Sequence, residues 1–209
     1  MNPAQPDTEQ LLARAAQGDQ AALGQVLERH RPRLRHMIAL RLDRRLRARL
    51  DPSDVLQETL AEAARRLADY ASLPPLPFYP WLRQLAWERL VQLHRRHVRA
   101  GKRSVRREQA DLPLSDESAL ALADRLVSRG SSPSARLRRS EQRRRVQAIL
   151  AQLAEADREV LVLRYLEHLS TPELAAILGL TPAGVKTRQL RALQRLRDLL
   201  GENDAEDMP

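Results

Sequence analysis

Two acidic side chains at helical spacing are the residues of this chain with the most obvious capacity for chemistry. Asp54 and Glu58 lie four residues apart with Gln57 between them, and paired carboxylates can serve in general acid–base catalysis. The sequence offers no suitably spaced histidine, glycine-rich phosphate loop or nucleophile motif to accompany them. On spacing alone, an ordinary solvated helix face is the better interpretation.

Metal and thiol chemistry have little support in the sequence. His94 and His97 are three residues apart and could share a metal ion, but the sequence shows no third ligand nearby. Their place in an arginine run favours phosphate contact or solvation. The chain has no cysteine, which excludes a disulfide scaffold, a cysteine-ligated zinc site and a thiol nucleophile. We therefore predict no catalytic site, no metal site and no cofactor.

The excess of arginine is the feature of the composition that indicates a binding partner. The 209 residues carry 36 basic against 27 acidic side chains, a formal net charge of +9, and every basic residue except Lys102 and Lys186 is arginine. Arginine binds phosphates, pairs with base edges and stacks on bases. Genomic base composition can contribute to the bias towards arginine. Nucleic acid is the favoured partner, with ribosomal or membrane-surface contact as the alternatives.

Aromatic side chains cluster directly before the densest basic run. Every aromatic residue except Tyr165 falls between positions 70 and 87, and the run Arg95–Arg107 that follows contains no acidic residue. Bases of a single strand stack on aromatic rings while arginines hold the backbone. The alternative is a small core filled by the rings, which the i, i+4 spacing of Trp81 and Leu85 suits. Both interpretations stay open.

The strongest motif is a pair of capped helices. Ser170 and Glu173 form a capping box, Gly179 supplies a break, and Thr181 with Pro182 begins a second helix. This is helix-turn-helix geometry, in which the second helix enters the major groove of DNA. The second helix has an apolar face made of Val185, Ala192, Leu193, Leu196 and Leu200. The opposite face suits base edges and phosphates and comprises Ala183, Thr187, Arg191 and Gln194, flanked by Lys186 and Arg188. A helical hairpin with a solvated basic side is the plainer alternative.

Helical periodicity runs through the whole chain and no strand pattern competes with it, so we predict an all-α fold. We expect two small helical domains, at residues 1–107 and 135–201, joined by a flexible acidic linker over 108–134 and followed by an acidic tail at 202–209. No apolar run reaches the roughly 18–20 residues that span a bilayer. No signal peptide is visible either. The expected location is the cytoplasm.

Local signals place the ends of several helices in the first domain. Asp19 can cap a long helix, which should be kinked or broken near Pro32. Either Asp51 or Ser53 can cap the next helix, and Pro52 suits its first turn.

Taken together, these segments resemble a bacterial RNA polymerase sigma factor of the extracytoplasmic-function (ECF) kind, within the sigma-70 family. The segment DPSDVLQET at Asp51–Thr59 resembles region 2.2, by which that family grips the coiled coil of the polymerase β′ subunit. Phe78–Arg96 resembles regions 2.3 and 2.4, which melt and read the −10 promoter element. Asp157–Arg197 resembles region 4, whose last helix reads the −35 element.

The resemblance implies roles for three sets of residues, on two domains equivalent to regions 2 and 4. Core polymerase contacts fall to Asp54, Val55, Gln57, Glu58 and Thr59, which replaces the interpretation of a solvated face. Contacts to the −10 element fall to Trp81, Arg83, Trp87, Arg89, His94, Arg95, Arg96, Lys102 and Arg103. Contacts to the −35 element fall to Thr181, Ala183, Lys186, Thr187, Arg188 and Arg191.

The chain departs from the family pattern in both domains. Glu88 and Gln92 stand where the family often has Asn and Asp, in the helix that carries most of the assigned −10 contacts. Gly184 stands where Thr or a β-branched residue is common. A glycine in a helix weakens it by up to about 1 kcal/mol relative to Ala.

The function implied by the resemblance is transcription initiation without enzymatic activity of its own. The implied partners are core RNA polymerase, through its β′ and β subunits, promoter DNA and commonly an anti-sigma factor, with no insertion into a membrane. A stand-alone helix-turn-helix regulator is the main rival, but it leaves the segment Asp51–Thr59 and the aromatic cluster without a role. A hydrolytic enzyme that uses Asp54 and Glu58 lacks every supporting group.

Overall fold

The computed structural model describes residues 7–42, 50–98, 116–127 and 136–206. Every regular element in these ranges is helical, which confirms the all-α prediction. The chain divides into two compact units, Met1–Pro113 and Leu114–Pro209, so the boundary falls inside the predicted linker.

Unit 1 is built on three long helices that pack on one another. Its described elements are α1 (Thr8–Ala16), α2 (Gln20–Arg41), α3 (Pro52–Arg65), α4 (Leu67–Ser72) and α5 (Phe78–Val98). Helices α2, α3 and α5 pack pairwise, and α1 packs on α2 and α4. The core between the long helices contains the fully buried residues Leu34, Met37, Ile38, Leu56, Leu82 and Leu90.

Carboxylates cap two of the long helices, as the sequence predicts. The Asp19 carboxylate accepts a hydrogen bond from the backbone N–H of Ala22 at 3.0 Å. The Asp51 carboxylate accepts one from the N–H of Ser53 at 2.7 Å, with Pro52 in the first turn. Of the two candidate caps for α3, Asp51 is the one the structure uses.

The predicted break near Pro32 is wrong, because α2 is one helix from Gln20 to Arg41. A proline inside a helix removes one backbone hydrogen bond. Pro32 is exposed, where water can satisfy the carbonyl that loses its partner, while Val26 and Leu34 are completely buried on either side of it. Packing of the flanking residues therefore holds the helix together through the proline.

Unit 2 surrounds a second, separate core. Its described elements are α6 (Asp116–Val127), α7 (Arg136–Gln152), α8 (Glu155–Leu161), a π turn (Val162–Leu166), α9 (Thr171–Leu178) and α10 (Pro182–Glu206). Helix α10 packs on α7, α8 and α9. Fully buried residues from several of these elements meet in the core, among them Ile149, Leu150, Val160, Leu161, Leu174 and Val185.

The expectation of a flexible linker over 108–134 is corrected for its central part. Residues 116–127 form α6, which packs against α7 and the π turn of unit 2. Ser118, Leu122 and Ala123 are buried in that contact. The sequence suggests at most a helical turn or two over Ala119–Val127, because Pro113, Ser115 and the cluster Gly130–Ser134 are typical of loops. Residues 108–115 and 128–134 lie outside the described residues.

The predicted acidic tail begins inside a helix. Helix α10 continues to Glu206, so the backbone of 202–206 is helical. Residues 207–209 lie outside the described residues.

Candidate nucleic-acid interface

Helix α10 presents the two faces that the sequence predicts. Val185, Ala192 and Leu196 are buried against the rest of unit 2, whereas Leu193 and Leu200 are half-buried. The polar face points to solvent: Ala183, Lys186, Thr187, Arg191 and Gln194 are exposed, and Arg188 is half-buried. Five hydrogen-bonding or charged side chains thus share one accessible surface of a single helix.

Local capping fixes the start of this helix and the turn before it. The N–H of Ser170 donates to the Glu173 carboxylate at 2.8 Å, and the N–H of Glu173 donates to the Ser170 hydroxyl at 3.4 Å. Gly179 ends α9 with a left-handed φ of 63°. The Thr181 hydroxyl accepts a hydrogen bond from the N–H of Gly184 at 3.0 Å, which confirms Thr181 as the cap of α10.

One exposed residue on this face is absent from the sequence-based set. Leu190 is 57% exposed, seven residues after Ala183 and therefore about two turns along the same face. An apolar side chain at such a place can contact the methyl group of thymine. The helical periodicity that places Ala183 on the exposed face places Leu190 there as well. The sequence therefore predicts the exposure of Leu190.

The predicted polymerase-contacting segment of α3 divides between surface and core. Asp54, Gln57 and Glu58 are exposed. Val55 and Thr59 are only 1% and 2% exposed, and the Thr59 hydroxyl donates to the Val55 carbonyl at 2.7 Å. The assignment of these two side chains as surface contacts is therefore corrected: they anchor α3 to the core of unit 1.

A cleft of about 380 Å³ runs along α3 and α5. Arg89 of α5 reaches across it and forms an ion pair with Glu58 of α3. On the same wall, Glu62 pairs with both Arg65 and Arg66. Arg89, predicted to touch the −10 element, is thus held by a residue predicted to touch polymerase.

The aromatic cluster forms a core rather than an exposed stacking platform. Trp81 is 7% exposed and stacks on Tyr70, with their ring centroids 4.4 Å apart. Phe78 packs against both rings, at centroid distances of 5.5 and 5.7 Å. Such aromatic pairs add about 0.5–1.5 kcal/mol beyond the area they bury. Of the two interpretations that the sequence leaves open, the structure supports the core for Trp81.

Trp87 and Arg83 form a partly buried cation–π group. Trp87 is half-buried, and the guanidinium groups of Arg41 and Arg83 lie 5.3 and 5.4 Å from its ring centroid. Arg83 itself is 5% exposed. Its predicted contact with the −10 element is therefore corrected, because its charge is directed to the Trp87 ring inside the unit.

The remaining −10 candidates lie towards the end of α5. Arg95 and Arg96 are exposed and His94 is half-buried. Within the part of the chain that the structure describes, His94 Nδ1 has no hydrogen-bond partner. Lys102 and Arg103 lie outside the described residues, as does the side chain of His97.

An exposed apolar segment precedes α5 and was not among the sequence-based candidates. Leu73 is 82% exposed, and Pro74, Pro75 and Pro77 beside it are exposed as well. The Tyr70 hydroxyl donates to the Leu76 carbonyl at 3.1 Å and ties this proline-rich segment to the aromatic core. The sequence shows four prolines between positions 74 and 80, which break a helical pattern, but it does not show that this segment is exposed.

Hydrogen bonds and burial shift the pKa values of a few groups in unit 1. The backbone N–H of Ser53 beside Asp51 lowers the pKa of that carboxyl, and hydrogen bonding from Arg65 lowers the pKa of Glu62. Burial raises the pKa of the Tyr70 hydroxyl. The shifted carboxyls thus belong to a helix cap and to a surface ion pair.

The described ranges offer neither a metal-binding cluster nor a membrane-spanning helix. They contain no group of three or more His, Cys, Asp and Glu residues that could hold a metal ion. No helix among them is long and apolar enough to cross a membrane.

The chain is similar in sequence to a known family of proteins. The model of "Sigma-70, region 4" matches residues 143–196. RNA polymerase sigma factor CnrH of Cupriavidus metallidurans is 32% identical over 205 residues, 96% of this chain and 97% of that protein. RNA polymerase sigma factor CarQ of Myxococcus xanthus is 32% identical over 197 residues, 93% of this chain and 98% of that protein.

Two further similarities extend the comparison. ECF RNA polymerase sigma factor SigD of Mycobacterium tuberculosis is 30% identical over 188 residues, 90% of this chain and 81% of that protein. Among solved structures, CnrH in complex with the cytosolic domain of CnrY gives a TM-score of 0.52 at 28% identity, covering 94% of this chain and 99% of that one.

Proposed function

Because the chain belongs to the ECF group of the sigma-70 family of RNA polymerase sigma factors, we propose that it is a transcription initiation factor. It binds core RNA polymerase, directs it to promoters through their −35 and −10 elements, and assists melting. The polymerase performs the catalysis. The observation that carries the proposal is the exposed polar face of α10, which lies opposite the buried Val185, Ala192 and Leu196.

Unit 2 reads duplex DNA at the −35 element. A helix of this kind lies in the major groove with its first turns closest to the bases. Arg191 pairs with a base edge, and Lys186 and Arg188 contact phosphates, while Leu190 offers an apolar contact. Base contacts specify the sequence and phosphate contacts fix the position of the helix.

Unit 1 holds the melted −10 element. Extruding or unstacking a base costs a few kcal/mol, which stacking and phosphate contacts must offset. With Trp81 in the core, the described residues of unit 1 that offer apolar surface to bases include Leu73 and the accessible part of Trp87. Arg95 and Arg96 supply charge for phosphates at the end of α5.

The exposed stripe of α3 binds core polymerase. Asp54, Gln57 and Glu58 form an exposed acidic and amide surface that contacts the coiled coil of the β′ subunit, and Glu58 is also paired with Arg89 of the same unit. The buried Val55 and Thr59 keep this stripe in place. Because the stripe and the −35 surface lie in different units, neither binding site needs to change for the other to work.

The proposed setting is the cytoplasm, where polymerase and promoter DNA are found. CnrH has been solved in complex with the cytosolic domain of CnrY, and by analogy a protein regulator of the anti-sigma kind is a further partner of this chain. A stand-alone regulator is not favoured. The relatives named above are RNA polymerase sigma factors, and this chain matches each of them over most of its length.

Co-elution with bacterial core RNA polymerase on gel filtration tests the proposal. We expect a stoichiometric complex with the unaltered chain and none with Asp54→Arg, which reverses one charge on the α3 stripe. Asp69→Arg makes the same charge change at an exposed position of α4 and should leave the complex intact. Circular dichroism checks that both variants are folded. Normal assembly of Asp54→Arg would refute the role of the α3 stripe.

A further inference from the structure

The π turn interrupts unit 2 where the sequence gives no reason for an interruption. The N–H of Glu167 donates to the Val162 carbonyl at 3.1 Å, spanning five residues instead of the four of an α-helix. Single π turns are rare and often occur at functional sites. The segment Val162–Leu166 contains neither glycine nor proline. Contacts with other parts of the unit, rather than local preference, must therefore hold this wider turn.

The turn is anchored in the core at its carboxyl end. His168 adopts a left-handed φ of 56°, and the N–H of Leu169 then donates to the Leu163 carbonyl at 3.0 Å. The Arg164 guanidinium donates to the Leu169 carbonyl at 2.9 Å. Leu163 and Leu169 are completely buried. The backbone around the turn is thus fixed immediately before the helix-turn-helix begins.

This anchored turn brings Tyr165 against the DNA-reading helix. The side-chain amide of Gln189 donates to the Tyr165 hydroxyl at 3.1 Å, joining residues 24 positions apart. Gln189 is half-buried. On the winding of α10, Gln189 falls on the packed side, one turn after the buried Val185 and beside the line of the buried Leu196. A hydrogen bond from this side of the helix to the π turn resists rotation of the helix about its own axis.

We propose that Tyr165 and Gln189 are positioning residues that set base discrimination at the −35 element; the inference rests on the proposed function of α10. A rotation of about 10° moves a group at the outer helix radius of about 5–6 Å by about 1 Å. Hydrogen bonds to base edges tolerate only a few tenths of an ångström. Contacts with phosphates come from long, adaptable side chains and carry no sequence information. The Tyr165–Gln189 bond therefore acts on discrimination more than on overall affinity for DNA.

The test uses the full chain bound to core RNA polymerase. The preferred −35 duplex is first selected from a randomised duplex library with the unaltered protein. Discrimination is then the affinity for that duplex divided by the affinity for each of its single-base variants. We expect Tyr165→Phe to lower this ratio by about two- to ten-fold, the equivalent of one hydrogen bond, with binding to unrelated duplex DNA unchanged. Gln189→Leu should give the same loss, and the double variant should add nothing to it.

Tyr70→Phe is the matched control, because it removes a tyrosine hydroxyl bond from unit 1 and should leave discrimination intact. A general loss of stability in unit 2 would lower the affinity for all duplexes alike and would not change the ratio. An unchanged ratio in both Tyr165→Phe and Gln189→Leu would overturn the positioning role while the proposed function stands. If the unaltered protein selects no duplex at all, both the proposed function and this inference are overturned.

Discussion

The two units offer their candidate DNA contacts in different ways. In unit 2 the contacts lie on one helix, with Lys186, Thr187 and Arg191 exposed to solvent. In unit 1, several contacts predicted for the −10 element are engaged internally: Trp81 stacks in the core, Arg83 is buried beside Trp87, and Arg89 is paired with Glu58. The polar face of α10 is therefore accessible in the free protein, whereas several of the α5 residues predicted for the −10 element already have partners within unit 1.

The largest effect should come from removing the ring at the centre of the aromatic core. Trp81→Ala should lower the free energy of unfolding of unit 1 by about 3–5 kcal/mol, because it deletes a buried aromatic side chain. Hydrogen exchange resolved by residue would measure the loss separately in each unit, and unit 2 should be unaffected. Trp87→Ala, at a half-buried position, should cost less. A stable Trp81→Ala protein that had lost single-strand binding would instead make Trp81 a surface contact.

The next effect concerns the helix that the sequence assigned to a linker. Leu122→Ala should destabilise unit 2 by about 2–5 kcal/mol, since Leu122 is completely buried in α6. Leu120→Ala, on the same helix but 37% exposed, serves as the control and should change stability much less. Urea denaturation followed by circular dichroism gives both values. Equal and negligible losses in the two variants would mean that α6 is not part of the unit 2 core.

A smaller effect is expected at the exposed face of α10. Arg191→Ala should weaken binding of the holoenzyme to its preferred −35 duplex by about 1–3 kcal/mol and relax the preference at one base position. Arg197 is also exposed on α10 but lies further along the helix, so Arg197→Ala should reduce affinity slightly and equally for all sequences. Titration of labelled duplexes measures both. Identical behaviour of the two variants would contradict a base contact by Arg191.

The smallest effect is a pH dependence at the cap of α3. Hydrogen bonding from Ser53 holds the pKa of Asp51 below its usual 3.8. The carboxylate therefore contributes stability above that value, and the contribution is lost as the pH falls through the lowered pKa. Asp51→Asn keeps a good cap but does not titrate. Its melting temperature should fall less between pH 5 and pH 3 than that of the unaltered chain, and an unchanged slope would contradict the account.

The sequence predicts best those features that are determined within a single helix. The cap at Thr181, the capping box at Ser170 and Glu173, and the polar face of α10 all follow from periodicity and local hydrogen bonding, and the structure has them. Leu190, which the sequence-based set lacks, follows from the same periodicity. Placing every residue of α10 on a helical wheel would have put it on the exposed face.

What the sequence does not predict depends on packing between distant segments. The pattern of α3 favours an exposed stripe, but Thr59 is buried in unit 1, where α3 packs on both α2 and α5. The helix continues through Pro32 because residues on both sides of it are buried. The π turn has no local signature, since Val162–Leu166 contains neither glycine nor proline, and it packs on α6 and α8 of unit 2.

Transcription in vitro tests the central claim most directly. Core RNA polymerase, with and without the protein, is supplied with a library of random DNA, and the 5′ ends of the transcripts are sequenced. The account predicts protein-dependent transcripts that share a two-part sequence at fixed distances upstream of their start, lost with Asp54→Arg. An absence of protein-dependent transcripts, with sequence-specific binding to duplex DNA retained, would contradict it and identify a stand-alone regulator.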